Sequence, residues 1–301
     1  MANMNVAASW SDLDNLADHL GAELSKGRLA LFLGAGLSMG FKLPNWESLV
    51  ARLYAKIGET PPASGDNLLL KVATFKLAHF RNNDAGFSKL VNECLYAGGD
   101  FSFDALRRND LVAAIGALVM ASQRGQAASV ITLNFDDLLE RYLEFNGLLV
   151  QAVSEEHHWA SNDDVRIYHP HGILPVDDTR KNSESLVFGM QEFHKIISGG
   201  SLWRPLLDTI LRTHTTIYIG LSGDDMHLQS LLNEMKQKHA ISRERYAYHG
   251  VMFGRKPSTD MSVLFDEMGV HSCLFDNYDE LPPFLFRICQ AARKHRLNIP
   301  Y

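Results

Sequence analysis

Four short stretches of this 301-residue chain hold residues whose types and spacing could do chemistry. The first is Gly34-Ala35-Gly36-Leu37-Ser38, which follows the apolar run Arg28–Leu33 (RLALFL). A buried strand that breaks into Gly-x-Gly lets backbone N–H groups approach a diphosphate, because no Cβ stands in the way. The second is Thr132-Leu133-Asn134-Phe135-Asp136, where a strand ends and a helix begins. A carboxamide at that edge points into the crevice where open α/β sheets take ligands, and it can orient a water or a ribose hydroxyl. The third is Tyr168-His169-Pro170-His171-Gly172. Its His171, beside a glycine that permits close approach, suits a general base near neutral pH, and His169 a supporting imidazole behind it. The fourth is Gly220-Leu221-Ser222-Gly223-Asp224-Asp225 after the β-like TTIYI, a second glycine turn able to hydrogen-bond ribose or phosphate.

Each stretch has a plainer explanation. Glycine after a buried strand is ordinary turn chemistry. Asp136 could simply cap a helix, as could Ser222 with Asp224 or Asp225. Gly36-Leu37-Ser38-Met39-Gly40 also fits the Gly-x-Ser-x-Gly elbow of serine hydrolases, but an elbow needs a helix straight after the serine, and Pro44 interrupts one here. His169 and His171 share a strand face at i, i+2, as metal ligands can, yet no cysteine or carboxylate stands at close ligand spacing, and Pro170 disturbs the strand. No metal is expected. His157 and His158 are left without a role.

These stretches need a scaffold, and the patterning supplies one. Ser11 is placed to cap a first helix through Leu13, Leu16, Leu20 and Leu24, with Gly27 ending it before the first strand. Pro44 and Asn45 open another helix. From residue 47 to 126 the periodicity is helical throughout, so this block reads as an insertion between the first and second sheet strands. Strands are expected at Ser129–Leu133, Arg166–His169, Thr215–Ile219, Tyr246–Phe253 and His271–Phe275. Helices are expected between them at Asp136–Phe145, Ser201–Arg212, Met226–Lys238 and Ser258–Met268, and after Pro282. That alternation predicts an α/β fold: a Rossmann-like, doubly wound, mostly parallel sheet within a single domain over 1–301, carrying the inserted helical module at 47–126. Asp177–Ser185 (DDTRKNSES) reads as a polar loop with freedom to move.

Composition narrows the function classes. The formal charge is −6 with neutral histidines, so no global basic field argues for nucleic-acid binding. No apolar stretch approaches the roughly 20 residues that span a bilayer, and the N-terminus lacks the pattern of a signal peptide. Cys94, Cys273 and Cys289 are too few and too scattered for a four-cysteine zinc site or a disulfide framework. A cytoplasmic, reduced, acidic protein is expected.

The order GAGLS, Leu43-Pro44-x-Trp46, TLNFDDLLE, HPHG, Val187-Phe188 to Phe193 and GLSGDDMHLQSLL, spanning about residues 24–232, resembles the sirtuin (SIR2) superfamily. The resemblance is closer to the bacterial sirtuin-like domains of anti-phage defence proteins. It implies that Gly34, Ala35, Gly36 and Ser38 bind the diphosphate of NAD+, with Thr132 in the same binding set. It further places Asn134 near the nicotinamide ribose, Asp136 near the nicotinamide carboxamide and His171 as the catalytic histidine. Gly220, Ser222 and Asp225 would form the second turn, with Ser222 towards the adenosine half. Deacylase sirtuins carry a four-cysteine zinc module, and glutamine where this chain has Leu133, so the resemblance favours the NAD-hydrolysing branch over protein deacylation. NAD+ would be a consumed substrate, split to nicotinamide and ADP-ribose and depleted when the protein is triggered. The alternatives are an NAD or ADP-ribose sensor without turnover and, behind it, an NAD-dependent deacylase. With the chain ending soon after the sheet, control is expected from self-assembly into a homo-oligomer or from a partner such as a HerA-type hexameric ATPase. Arg255 and Lys256 could meet the 2′-phosphate of NADP or simply face water.

Overall fold

Leu29–Leu33 (LALFL) is buried at all five positions and forms strand β1. A strand apolar on both faces belongs inside a sheet covered on both sides, which explains the unbroken run. The computed structural model describes residues 9–121, 127, 129–155, 163–177, 180–183, 186–189, 192, 194, 196, 201–221, 226–238, 248–256 and 259–297. In chain order, helix α1 (Leu13–Ser25) precedes β1, and helices α2 (Trp46–Lys56), α3 (Leu68–His79), α4 (Asp84–Leu95), α5 (Phe103–Arg107) and α6 (Asp110–Met120) follow it. Next come β2 (Ser129–Thr132), α7 (Leu138–Phe145), β3 (Val150–Val153), β4 (Val165–Tyr168), α8 (Trp203–Thr213) and β5 (Thr215–Ile219). The chain continues through α9 (Met226–Lys238), β6 (Gly250–Arg255), α10 (Thr259–Glu267), β7 (Val270–Phe275) and α11 (Leu281–Leu297). Between β1 and β2 the described residues hold helices and two 3-10 turns, with no strand.

The strands lie in the order β3-β4-β2-β1-β5-β6-β7. The pairings β3–β4, β1–β5, β5–β6 and β6–β7 are parallel, with Leu29 opposite Thr215 and Leu33 opposite Ile219 at the centre. From β1 the chain passes to one side of the sheet, and from β5 to the other. The fold is therefore a Rossmann-like, doubly wound α/β sheet. In such sheets the carboxyl ends of the strands where the winding reverses are the usual ligand position.

The chain divides into two compact units, Met1–Leu33 with Arg107–Ile131 and Pro205–Tyr301, and Gly34–Leu106 with Thr132–Arg204. In the first, α11 packs on α1 and α6, and Phe253, Phe275 and Phe284 form a ring triangle with centroids 5.4–5.9 Å apart. The cap of α1 is Asp12, whose carboxylate accepts the N–H groups of Asp14 and Asn15, and not the expected Ser11. The one-residue shift reflects geometry: Asp12 stands at the extended position from which a side chain reaches back over the first turn. Gly21 lets α1 and α11 touch backbone to backbone, since a Cβ there would lie 2.5 Å from Ala291 Cβ and 2.7 Å from Ala292 N. Gly21→Val is expected to lower unfolding stability by roughly 1–3 kcal/mol through overpacking, read from urea midpoints; an unchanged midpoint would contradict that close contact.

In the second unit Phe188 is the aromatic hub. Its ring lies 4.7 Å from Trp46, 5.4 Å from Phe87 and 5.2 Å from Phe135. It thereby ties α2 and α4 to the residue between Asn134 and Asp136. One strand was absent from the sequence expectation: β3, four residues long, half-buried at its middle and at the sheet edge. A strand that short leaves almost no alternation to detect.

Candidate functional site

Gly34, Asn134 and His171 all follow the carboxyl ends of strands, β1, β2 and β4 respectively, and all three belong to the second unit. After β1 the chain makes two consecutive 3-10 turns, Ala35–Leu37 and Met39–Phe41, with Ser38 between them. The first turn is closed by Leu37 N–H to Gly34 O and Ser38 N–H to Ala35 O, each 3.0 Å. Those bonds do not use the leading N–H groups of Ala35 and Gly36. Only the three-residue 3-10 turn follows Ser38 and the next α-helix starts at Trp46, so the strand–serine–α-helix elbow that a serine nucleophile would need is not formed.

Asn134 is held at both ends. Its backbone N–H donates to Thr132 Oγ1 at 3.1 Å. Its side-chain Nδ2 donates to Gly34 O and to Ser38 Oγ, both at 3.2 Å. Gly34 O can only accept, so the amide nitrogen must face it, which fixes the orientation of the carboxamide. With both N–H groups engaged by the protein, Oδ1 is the end of the carboxamide left to act as an acceptor. Ser38 Oγ in turn donates to Asp136 Oδ2 at 2.7 Å. A directed chain thus runs from Asn134 through Ser38 to Asp136, between residues nearly a hundred positions apart.

Asp136 is buried. Burial pushes its carboxyl up to about 6, against the Ser38 hydrogen bond, with the Glu140 and Asp137 carboxylates adding to the rise. It also accepts Leu138 N–H at 3.3 Å, so it serves the start of α7 as well as Ser38. Because the folded state holds this proton more tightly than the unfolded chain, Asp136 favours the fold at low pH. That contribution is lost as pH rises from about 4 through about 6. Asp136→Asn is therefore expected to gain roughly 1–3 kcal/mol of stability over wild type at pH 7.5 and little at pH 4. Urea unfolding at the two pH values reads this, and an equal difference at both would refute it.

Behind Asn134 lies His169, fully buried. Its Nδ1 lies 3.2 Å from Asn134 O, an acceptor, so Nδ1 carries a proton. Its Nε2 lies 2.5 Å from Glu140 Oε1 on α7. Burial alone would lower this imidazole, but the Glu140 carboxylate more than offsets it and the net shift is upward. His169 is thus a support for Asn134, in a buried pair with Glu140.

His171 is buried on the turn after β4. Its backbone O accepts Val187 N–H at 2.9 Å. The following segment is fixed from several sides: Leu174 N–H donates to Phe135 O at 2.6 Å, Tyr96 Oη to Leu174 O at 2.5 Å, and Asn92 Nδ2 to Pro175 O at 2.9 Å. Gly172 sits at φ +93°, a conformation few residues other than glycine adopt.

Of the sequence-proposed residues, Gly34, Ser38, Thr132, Asn134 and Asp136 are thus joined in one hydrogen-bond chain, with Ala35 and Gly36 in the turn it holds. Gly220 ends β5 in the first unit at φ +71°, while Ser222 and Asp225 lie outside the described residues. Lys256 pairs with Asp276 at 3.1 Å on the exposed surface. Glu140, Asp137 and Arg180 were not singled out beforehand. The signal for Glu140 was its place one helical turn after Asp136 in NFDDLLE, a carboxylate on a largely buried helix face. Among the described residues no group of three or more His, Cys, Asp or Glu could hold a metal ion, and no helix is long and apolar enough to cross a membrane.

Comparison with known proteins agrees with this geometry. The family described as SIR2-like domain matches residues 128–271, which include β2, the Asn134 turn and His171. Defense-associated sirtuin 2 of Bacillus subtilis is 23% identical over 249 residues, covering 80% of this chain but 22% of that relative's own length. The chain therefore spans about a fifth of the curated relative it matches. The sheet order and the strand-end turns agree with that match, so over residues 128–271 the chain is similar to the SIR2-like domain family.

Proposed function

We propose that this domain is an NAD+ glycohydrolase that splits NAD+ into nicotinamide and ADP-ribose, acting as an effector of anti-phage defence. The observation that carries the reading is the double anchoring of Asn134 by Gly34 O and Ser38, which presents its Oδ1 beside a strand-end glycine turn. Ala35 and Gly36 would hold the diphosphate through their leading N–H groups. Asn134 Oδ1 would hold the attacking water or a ribose hydroxyl. His171 would take up the proton released when water adds to C1′ and the bond to nicotinamide breaks. The leaving pyridine departs neutral, so the site needs orientation and exclusion of solvent more than a strong nucleophile. The role in defence is supported by the curated relative's name.

Nicotinamide release from NAD+ by purified protein tests the reading, with Asn134→Ala and His171→Ala alongside. Wild type should release nicotinamide, and each variant should lose at least tenfold. Release that survives both substitutions would overturn the site. Binding of NAD+ without release would replace the enzyme with a sensor module.

A further inference from the structure

The polar stretch DDTRKNSES has no place in the reaction outlined above, yet Asp177, Arg180 and Ser183 within it are anchored. Arg180 Nη1 lies 2.9 Å from Asp137 Oδ2, and the same guanidinium pairs with Glu144 about two turns further along α7. Asp137 is fully buried, and its other oxygen accepts Val176 N–H at 3.0 Å. Just inside, Ile173 and Ser183 exchange two hydrogen bonds, Ile173 N–H to Ser183 Oγ at 2.7 Å and Ser183 N–H to Ile173 O at 3.0 Å. One step further in, Val187 N–H reaches His171 O. The chain after the HPHG turn thus leaves along 171–176, and Ser183 and Val187 bond back to Ile173 and His171. His171 stands at the closed end of this loop and Arg180 at the fastening on α7. A second ion pair, Arg141–Asp177 at 2.7 Å, joins the same loop to α7, but its acid is exposed.

We propose that Arg180 is the positioning residue for His171: by pairing with the buried Asp137 it fastens the returning strand of the loop and so fixes the backbone that carries the imidazole. The exposed Arg141–Asp177 pair cannot take over this task, because water screens it. The Asp137 carboxylate, once buried, demands its cation. Arg180 also offsets a local excess of negative charge, since Asp136, Asp137, Glu140 and Glu144 lie within nine residues of sequence. Burial raises Asp137, and Arg180 is among the cations that hold it down.

The inference rests on His171 being the proton acceptor proposed above, so its test has one arm that needs no turnover. In histidine-labelled protein the His171 imidazole resonance, assigned by its loss in His171→Gln, should be displaced or broadened in Arg180→Gln. It should return towards its original position in Arg180→Lys and stay in place in Asp177→Asn. In turnover, Arg180→Gln should lower kcat at least tenfold with KM within about twofold, because the substrate contacts of the Gly34 turn are untouched. Combined with Asp137→Asn, which keeps the oxygen for Val176, the double variant should be no worse than Arg180→Gln alone. If Arg180→Gln fails to fold, that double variant and Arg180→Lys carry the same comparison. An unmoved His171 resonance in Arg180→Gln overturns the proposal. So does an unchanged kcat with the loop released. Absence of nicotinamide release by wild type would instead fall on the glycohydrolase reading, and the resonance arm would still decide the role of Arg180.

Discussion

Asn134→Ala is expected to lower nicotinamide release by about 10²-fold or more, the loss typical of a single fixed polar group at a reacting centre. Alanine removes both the Oδ1 that would hold the water and the two donors that anchor it. Asn134→Asp separates these roles. It keeps an oxygen towards the crevice but sets a second one against Gly34 O, an acceptor 3.2 Å from the present nitrogen. Two acceptors would then face each other in a buried site with no proton between them. Asn134→Asp should therefore be as inactive as Asn134→Ala and also less stable than it, read from thermal midpoints of the two variants. An active Asn134→Asp would mean that the donors to Gly34 O and Ser38 do not matter, and the anchoring argument would fall.

The parts of this fold that were legible in the sequence are those where one local signal dominates. LALFL has no alternation because β1 is covered on both faces, and it was readable for that reason. Thr215–Ile219 and Met226–Lys238 have the boundaries their patterns implied. The cap at Asn45 is similar, with its side chain on Ser48 N–H. What failed locally failed by competition: Ser11 and Asp12 are both good caps, and only the backbone angles choose between them.

The site divides along the same line. Gly34, Asn134 and His171 could be named because each stands at a strand end beside a glycine or a helix start. Their connections could not. Ser38 and Asp136 meet across 98 positions, and His169 and Glu140 across 29. Nothing in either segment alone says that Ser38 directs its hydroxyl proton at the Asp136 carboxylate. The pairing of Arg180 with Asp137 was hidden for a related reason. A run of charged and polar residues does not show which buried acid pairs with it, and Asp137 looks like a surface residue until its burial is seen.

The second large effect is expected at Glu140. Glu140→Gln should cost about 3–5 kcal/mol of unfolding stability, because it leaves the buried His169 imidazolium without its counter-charge. The pH dependence gives this prediction its direction. His169 is raised above its ordinary value of 6.5, burial pulling it down and Glu140 pulling it up further. Stability from such a group is fully present below the unfolded value and is lost as pH rises through the folded value. The deficit of Glu140→Gln should therefore be largest near pH 5.5 and shrink in alkaline solution, where the imidazole is neutral in both proteins. Asp136 titrates in both, and because Glu140 raises it, losing Glu140 relieves a repulsion at alkaline pH and shrinks the deficit there in the same direction. Adding His169→Gln to Glu140→Gln should cost much less than the sum of the two single changes, since the second removes the orphaned charge. Urea midpoints at pH 5.5 and 9 for the three variants decide it. A deficit independent of pH would mean that Glu140 acts by packing alone, and that the imidazole behind Asn134 is held neutral by other neighbours.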